Sequence, residues 1–524
     1  MLHAALAWSF WSAQDFPRGF RDEFFIVELT TDIVFGGDLR ALFLGDYYPP
    51  LQRLPGVLAL AAGAGYRGML AAQALLWLPL LVFGTWWSAR RLTGEWGATL
   101  AVALLLPAAG ILDSLHRFEP NLGATAAAAG CLAAFLWSDG LQKRREVLLL
   151  TVCLGLGLMV DRLGTLPCVA LPLGWAAFRG RKNPVVRRNV LLLCVALVVA
   201  VGWWYALFIR DYVGEWLPQL LAGEVDRSGE VLEARPPLVF WALHYLWIWI
   251  DSQVGLLGGV LFLGGLAWGV RHRGERAVGE VLLWLVLGLT LFSLIPKRQP
   301  FYTLPLLPAA AVLAAAMLVG ITGRATASLG LSRLFLASGA ALLVTLPAVL
   351  TARPGQDLDP GVVAWTLQNR SPLPERWVGE RFPLGQRPDG RRLDIASFAD
   401  RLEGVGVPTS APVVVLSTDG QISESQLLSI LRIERRSSEV FGVVVHPETV
   451  AERGAEFAAL IDLRSASGWP DDEAVIDAHE RRFGWEQNEE LLAVMREMKQ
   501  RFGEASQPYP VGESTLQIWV QRPR

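Results

Sequence analysis

The amino-acid sequence predicts an α-helical polytopic membrane protein with about eleven transmembrane helices and a C-terminal soluble α/β domain. Three observations support this fold class. Hydrophobic residues make up 52% of the 524 residues and charged residues only 18%, whereas soluble domains carry roughly 25% charged residues. Apolar runs of membrane-spanning length recur as far as residue 351. From residue 352 the sequence becomes charged and rich in proline, which predicts a domain boundary between 1–351 and 352–524.

The predicted spans are eleven apolar segments. They are 1–13, 69–89, 97–112, 121–137, 147–160, 163–178, 190–209, 254–270, 279–295, 303–320 and 333–351. A helix needs about 20 mostly apolar residues to cross a bilayer, so segment 1–13 is short for a complete span. This segment has neither the basic n-region nor the small-residue cleavage site of a signal peptide, and we do not expect it to be one.

Basic residues predict the orientation of the spans, because Lys and Arg accumulate in cytoplasmic loops. Every second connection between the predicted spans is basic. The first of these five connections contains Arg90 and Arg91, and the second contains Lys143, Arg144 and Arg145. The other three contain, in order, Arg179, Arg181, Lys182, Arg187 and Arg188; Arg271, Arg273 and Arg276; and Arg324 and Arg333. We therefore expect the loops 14–68, 113–120, 210–253 and 296–302 to face outward. The segment 352–524 follows an odd number of spans and would also lie outside.

The segment 352–524 contains short β-type runs separated by helix-type runs. The predicted strands are 412–417, 440–445, 458–463 and 515–520, and the predicted helices lie near 421–435 and 488–502. This order of elements indicates an extracytoplasmic α/β domain with its own core. The segment has no cysteine, so the domain would not depend on disulfides.

Composition also narrows the classes of function. The formal net charge of −2 gives no general attraction to nucleic acid. All four cysteines lie within apolar runs and none has metal-ligand spacing, so we interpret them as packing residues. The high content of Ala, Gly, Leu and Arg is typical of a GC-rich bacterium. We therefore expect a multi-pass protein of the bacterial inner (plasma) membrane, in contact with membrane lipids.

Two adjacent acids, Asp22 and Glu23, follow the first apolar segment and open the outward loop 14–68. A carboxylate at the membrane surface is partly desolvated, so it is costly unless it is paired or used in chemistry. An ion pair with Arg18 or Arg21 and a catalytic role both meet this condition, and the residues alone leave the two interpretations open.

Two other outward turns carry charged groups. The stretch "LHRFEPNLG" (115–123) brings His116, Arg117 and Glu119 to the same face, although charges at loop ends are common. The hairpin "MVDRLG" (159–164) presents Asp161 and Arg162, which a local salt bridge would also explain.

The stretch "PKRQPFYTLPLLP" (296–308) places Lys297 and Arg298 on the outward side, against the general pattern of basic loops. These cations favour an anionic partner such as a phosphate at the membrane surface. Carboxylates can activate a nucleophile, and cations can hold a phosphate leaving group. The charged residues of the four stretches 14–68, 115–123, 159–164 and 296–308 therefore fit the transfer of a group from a lipid-phosphate donor.

Two alternatives from other classes remain open. A transporter or flippase of lipid-linked sugars would place polar residues near the bilayer midplane and usually contain a repeat. Here the charged residues lie at the ends of spans, and no internal repeat is visible. The second alternative is an inactive relative of such a transferase, with a scaffolding role.

The order of these motifs resembles the membrane glycosyltransferases of the C superfamily, in the branch of protein O-mannosyltransferases and lipid A aminoarabinose transferases. Asp22 and Glu23 match the acidic pair of the first outer loop, and "PPL" (49–51) matches the motif at its end. The stretch "ARRLTGEWGA" (89–98) resembles the cytoplasmic turn that follows. The resemblance covers roughly residues 15–350.

The later motifs agree less closely with this family. "LHRFEP" resembles the Arg-plus-acid motif, with Glu119 where aspartate is more usual. "GLGLMVDRLG" resembles a motif in which Arg162 takes the place of the family's lysine. "PKRQPFYTLPLLPA" resembles the Lys…Tyr-x-x-Pro motif, with Lys297 and Tyr302 as the matching residues.

The resemblance implies a glycosyltransferase with a polyprenyl-phosphate sugar donor, a lipid, glycan or protein acceptor, and inversion at the anomeric carbon. It implies that Asp22 is the general base, assisted by Glu23. The donor phosphate would be bound by Arg162, Lys297, Tyr302 and Arg117, with Glu119, His116, Asp161 and Arg298 in supporting roles. These residues require no metal and no other cofactor.

Overall fold

The structure, a computed structural model, describes the membrane part of the chain in more continuous ranges than the C-terminal part. The described residues are 21–44, 48–161, 164–216, 243, 245–246, 248–294, 300–325, 402–408, 410–417, 428, 431–433, 440–442, 447–453, 456–465, 509–511 and 514–520. The predicted spans 1–13 and 333–351 lie outside these ranges, as does the predicted helix 488–502.

The described part of the predicted outer loop 14–68 forms three helices, for which we made no prediction from the sequence. They are α1 (Arg21–Phe35), α2 (Ala41–Leu44) and α3 (Pro50–Ala61). Pro50 stands at the first position of α3, where its missing N–H costs nothing. The buried guanidinium of Arg53 donates to the carbonyls of Leu42 and Tyr48, at 2.9 and 3.0 Å, and so fixes α3 against the preceding turn.

The membrane part continues in a series of apolar helices, and each of the nine predicted spans between residues 69 and 320 coincides with helical structure. The helices are α4 (Tyr66–Leu105), α5 (Ala109–His116), α6 (Asn121–Trp137), α7 (Arg144–Leu158), α8 (Leu166–Arg179), α9 (Pro184–Leu197), α10 (Gly255–Arg271), α11 (Arg276–Leu294) and α12 (Leu307–Ala325). Helix α9 continues through Val198–Gly202 and Trp203–Leu207. Short helical turns follow at Ile209–Asp211, Tyr212–Trp216 and Trp249–Gln253, and the 3₁₀ segment Pro300–Leu306 leads into α12.

Helix α4 combines two predicted spans and kinks between them. Gly94 has φ 72° and ψ −170°, a conformation open to glycine and costly for other residues. Before it, Gly84 lies against the backbone of Ala129 in α6; after it, Gly97 lies near Val319 in α12. The helical path then breaks at Pro107, so the predicted span 97–112 is divided between the second half of α4 and α5.

Among the described residues, four helices are long and apolar enough to cross a membrane. These are Tyr66–Leu105, Pro184–Leu207, Arg276–Leu294 and Phe301–Thr322; Asn121–Trp137, Leu166–Arg179 and Gly258–Arg271 are shorter apolar helices. Helix α6 is buried on all sides. Its alanines and glycines allow neighbouring backbones to approach closely, as small residues do in membrane bundles.

The loops that we predicted to be cytoplasmic meet at one end of α6. Asp139 pairs with Lys143 and with Arg91, the latter at 2.8 Å. The Asn189 side chain donates to the carbonyl of Leu141 at 2.8 Å. We call this the basic end of the bundle, and the opposite end, at Asn121, the motif end.

The described residues of the C-terminal part form a five-stranded sheet in the order β2-β1-β3-β5-β4. Its strands are β1 (Val413–Ser417), β2 (Val440–Gly442), β3 (Ala459–Ser465), β4 (Tyr509–Val511) and β5 (Ser514–Val520). Strands β1, β2 and β3 are parallel, and β5 pairs antiparallel with β3 and β4. One hydrophobic cluster buries side chains from four of these strands, namely Val413, Val415, Val440, Ile461 and Ile518.

All four predicted strands are present in this sheet. We did not predict β4, a short edge strand that contains Pro510, because proline weakens a strand pattern and is tolerated at edges. We also did not predict α13 (Pro447–Arg453). Within the predicted helix 421–435, the described residues Leu428 and 431–433 are helical.

Candidate functional site

Helix α1 carries the predicted catalytic pair. Asp22 and Glu23 lie in the described part of this helix; their side chains lie outside the described part. The helix is anchored by an apolar cluster that we call the α1 cluster, composed of Ile26, Val27, Ala59, Leu60, Tyr66, Met69, Leu70, Phe118 and Ile433. This cluster ties α1 to α3, to the start of α4 and to the loop before α6.

The loop between α5 and α6 contains a buried ion pair. The Arg117 Nη1 atom lies 3.7 Å from the Glu119 Oε1 atom, and the side chains are only 7% and 9% exposed. The other carboxylate oxygen of Glu119 accepts from the Asn121 amide at 2.8 Å. Arg117 and Glu119 are therefore held in a fixed relative position, as a buried charged pair must be to offset its desolvation.

Two neighbours hold this loop in place. The Gln73 amide of α4 donates to the carbonyls of Arg117, at 2.8 Å, and Ser114, at 3.2 Å. The Phe118 ring packs on α3, where a Cβ at Gly56 would come within 2.6 Å of it. His116 lies in the last turn of α5, and its side chain is not among those described.

The turn 159–165 contacts both α3 and α6. The Leu51 amide, in the "PPL" motif, donates to the Met159 carbonyl at 2.9 Å. The Thr165 hydroxyl donates to the Ala124 carbonyl at 3.3 Å. The Asp161 carboxylate accepts a hydrogen bond from the Gly164 amide at 2.8 Å. Arg162 itself lies outside the described residues.

The segment that leads into α12 lies beside α5. Tyr302 is 8% exposed and stacks on Phe292 with ring centroids 6.1 Å apart. Thr303 accepts from the Gln253 amide at 3.0 Å. Leu304 contacts α5 at Gly110, where a Cβ would lie 2.3 Å from it. Lys297 and Arg298 immediately precede this segment and are outside the described part of the chain.

The motif segments thus meet around the motif end of α6. Of the ten predicted site residues, the structure describes the side chains of Arg117, Glu119, Asp161 and Tyr302. Sequence reasoning missed Gln73 and Asn121. Gln73 could have been noticed as an amide within an otherwise apolar stretch of α4. Within the described ranges, no group of three or more His, Cys, Asp or Glu residues is placed to hold a metal ion.

Comparison with known proteins gives few sequence relatives and clear structural ones. No family model matches the chain. An uncharacterized protein from Aquifex aeolicus (strain VF5) is 25% identical over 237 residues, a match that spans 44% of this chain and 45% of that protein. The match thus includes less than half the length of this curated relative.

The solved structures extend the comparison to the whole chain. ArnT from Cupriavidus metallidurans, in the apo state and bound to undecaprenyl phosphate, matches 99% of this chain and 97% of its own, with a TM-score of 0.58 and 17% identity. The arabinofuranosyltransferase AftD from Mycobacteria matches all of this chain and 39% of its own, with a TM-score of 0.54 and 16% identity. This chain therefore has the fold of these solved structures, and its described residues include helices long and apolar enough to cross a membrane.

Proposed function

We propose that this protein is an inverting glycosyltransferase that moves a sugar from a polyprenyl-phosphate donor to a hydroxyl of a lipid, glycan or protein acceptor. The reaction would take place at the outer face of the bacterial inner membrane. The observation that carries the proposal is the convergence of the "PPL" motif, the 159–165 turn and the buried Arg117–Glu119 pair at the motif end of α6. The ArnT structure with undecaprenyl phosphate supports this class of donor.

Asp22 is the proposed general base. It takes the proton of the acceptor hydroxyl as the oxygen of that hydroxyl forms a bond to the anomeric carbon. The bond from this carbon to the phosphate oxygen breaks on the opposite face, which inverts the configuration and releases polyprenyl phosphate. Glu23, in the same turn of α1, orients the acceptor.

Arg117, Arg162, Lys297 and Tyr302 are the proposed ligands of the departing phosphate. Positive groups that are fixed before the reaction stabilise the developing charge without reorganisation. For Arg117 the described contacts supply this rigidity, because Glu119 pairs with the guanidinium and Asn121 and Gln73 restrain the loop. Asp161, His116 and Arg298 have supporting roles in the proposal.

A flippase of lipid-linked sugars is the alternative from another class. Such a protein needs polar groups along a path through the membrane. Among the described residues, the ion pairs of the membrane part cluster at its two ends, as in Arg91–Asp139 and Arg117–Glu119. This distribution favours a reaction at the surface over transport.

Proteoliposomes that contain the purified protein and a labelled polyprenyl-phosphate sugar distinguish the two functions. A panel of donors and of lipid, glycan and peptide acceptors would be tested. A transferase releases free polyprenyl phosphate and moves the label to the acceptor, only when both substrates are present. A flippase carries intact donor across the bilayer and releases no polyprenyl phosphate, and that outcome would contradict the proposal.

A further inference from the structure

An arginine of the C-terminal part contacts the helix that carries the proposed catalytic acids. The Arg432 Nη1 atom lies 2.8 Å from the Asp32 Oδ1 atom and 3.5 Å from the Glu28 Oε1 atom, both in α1. Its Nε atom donates to the Val440 carbonyl in β2 at 2.9 Å. One guanidinium therefore joins the sheet to α1, between residues separated by 400 positions in the chain.

The surroundings of Arg432 make this contact more than a surface ion pair. The Arg432 side chain is 2% exposed and that of Glu28 is 11% exposed. A buried guanidinium without an anionic partner is strongly unfavourable, so its position and those of its carboxylates depend on each other. The next residue, Ile433, is buried in the α1 cluster beside Ile26 and Val27. The sheet thus contacts α1 through an apolar and a charged side chain together.

We propose that the C-terminal sheet positions the catalytic base, and that Arg432 is the positioning residue. This inference rests on the proposed function of Asp22. With a rise of about 1.5 Å per residue, Glu28 lies about 9 Å along α1 from Asp22. Arg432 binds α1 about two and about three turns after Asp22 and so sets the direction and depth of the helix at Asp22. A displacement of about 1 Å in a reacting group can cost about 10²-fold in rate.

The inference predicts a loss in kcat without a matching change in donor affinity. The proposed phosphate ligands lie outside α1, on the α5–α6 loop, the 159–165 turn and the segment before α12. Arg432→Met in the full-length protein is therefore expected to lower kcat about 10- to 100-fold and to leave the KM for the donor close to that of the parent. Arg432→Lys keeps the charge and should recover much of the rate.

Two further variants separate positioning from general destabilisation. Arg453→Met removes an arginine at the end of α13 whose ion pair with Glu456 lies within the C-terminal part, and it should leave kcat near the parent value. The double variant Glu28→Gln/Arg432→Met avoids an unpaired buried carboxylate but still lacks the contact to α1. Its kcat should stay low. Full recovery of kcat in the double variant, or an equal loss in Arg453→Met, would overturn the inference.

Amide hydrogen exchange gives a readout that does not require turnover. In Arg432→Met, exchange in α1 between residues 26 and 35 should accelerate at least several-fold, while exchange in α6 should not change. If the parent transfers sugar but Arg432→Met alters neither kcat nor exchange in α1, the positioning role is wrong. If the parent is inactive with every donor and acceptor, the proposed function of Asp22 fails, and Arg432 then has no catalytic base to position. In that case amide hydrogen exchange decides only whether Arg432 holds α1 in place.

Discussion

Replacing Gly84 with alanine tests the packing of α4 against α6, on which the position of the motif end depends. A Cβ at residue 84 would lie 2.7 Å from the carbonyl carbon of Ala129 and 2.7 Å from the amide nitrogen of Gly130. Carbon atoms in good contact are about 3.5–4.0 Å apart, so the two helices must separate by about 1 Å. The clash is with backbone, and no side chain can rotate to relieve it.

The expected cost is about 1–3 kcal/mol, the usual penalty for an extra methyl group in a well-packed core. Gly174→Ala is the matched control, because Gly174 lies within helix α8 and a Cβ there meets nothing within 4 Å. Alanine is favoured over glycine in a helix by up to about 1 kcal/mol, so this variant should be neutral or slightly stabilised.

The assay is thermal unfolding of the purified protein in one detergent, and the loss of the monodisperse protein peak reports the unfolding. The midpoint of Gly84→Ala should fall below that of the parent, and the midpoint of Gly174→Ala should not. Equal midpoints for the two variants would refute the close approach of α4 and α6.

Three other changes test the site and the basic end. Glu119→Gln should lower stability by about 1–3 kcal/mol and raise the donor KM, because Arg117 loses its charged partner; denaturant unfolding and initial rates measure both. Tyr302→Phe keeps the stack on Phe292, and the donor KM should rise about 2- to 10-fold if the hydroxyl binds the phosphate. The hydrogen bond from Lys143 lowers the pKa of Asp139 below its ordinary 3.8, so this carboxylate stabilises the fold above that pH and loses its effect as the pH falls through the lowered pKa. The stability advantage of the parent over Asp139→Asn should therefore be present at pH 6 and decline below about pH 4, as measured by unfolding midpoints across that range.

The sequence predicts the helices of the membrane part well because the bilayer imposes a length of apolar residues on each. The helices in loop 14–68 escape this reasoning, since they are short and carry charged residues such as Arg53 and Glu28. Helix α3 does have apolar residues three and four apart, at Leu51, Leu54 and Leu58, which is a helical signal that we could have used.

The candidate site is predicted from the sequence only as a set of segments. The order of the loops indicates that their charged residues share one face. The pairs of side chains that hold these segments together are set by tertiary packing. Gln73 binds a loop more than 40 residues away in the sequence, and Arg432 binds a helix 400 residues away. Patterns within a local window carry no information on such pairs. The roles of all ten predicted site residues remain predictions from the sequence.

The rate of polyprenyl phosphate release in Asp22→Asn tests the central claim most directly. The control is Asp38→Asn, which changes an exposed acid of the same predicted outer loop whose carboxylate accepts only a local hydrogen bond from the Arg40 amide among its described contacts. With an active donor and acceptor, Asp22→Asn should reduce the rate about 10²- to 10⁴-fold, and Asp38→Asn should keep the parent rate. Equal rates in the parent and Asp22→Asn would contradict the assignment of Asp22 as the general base.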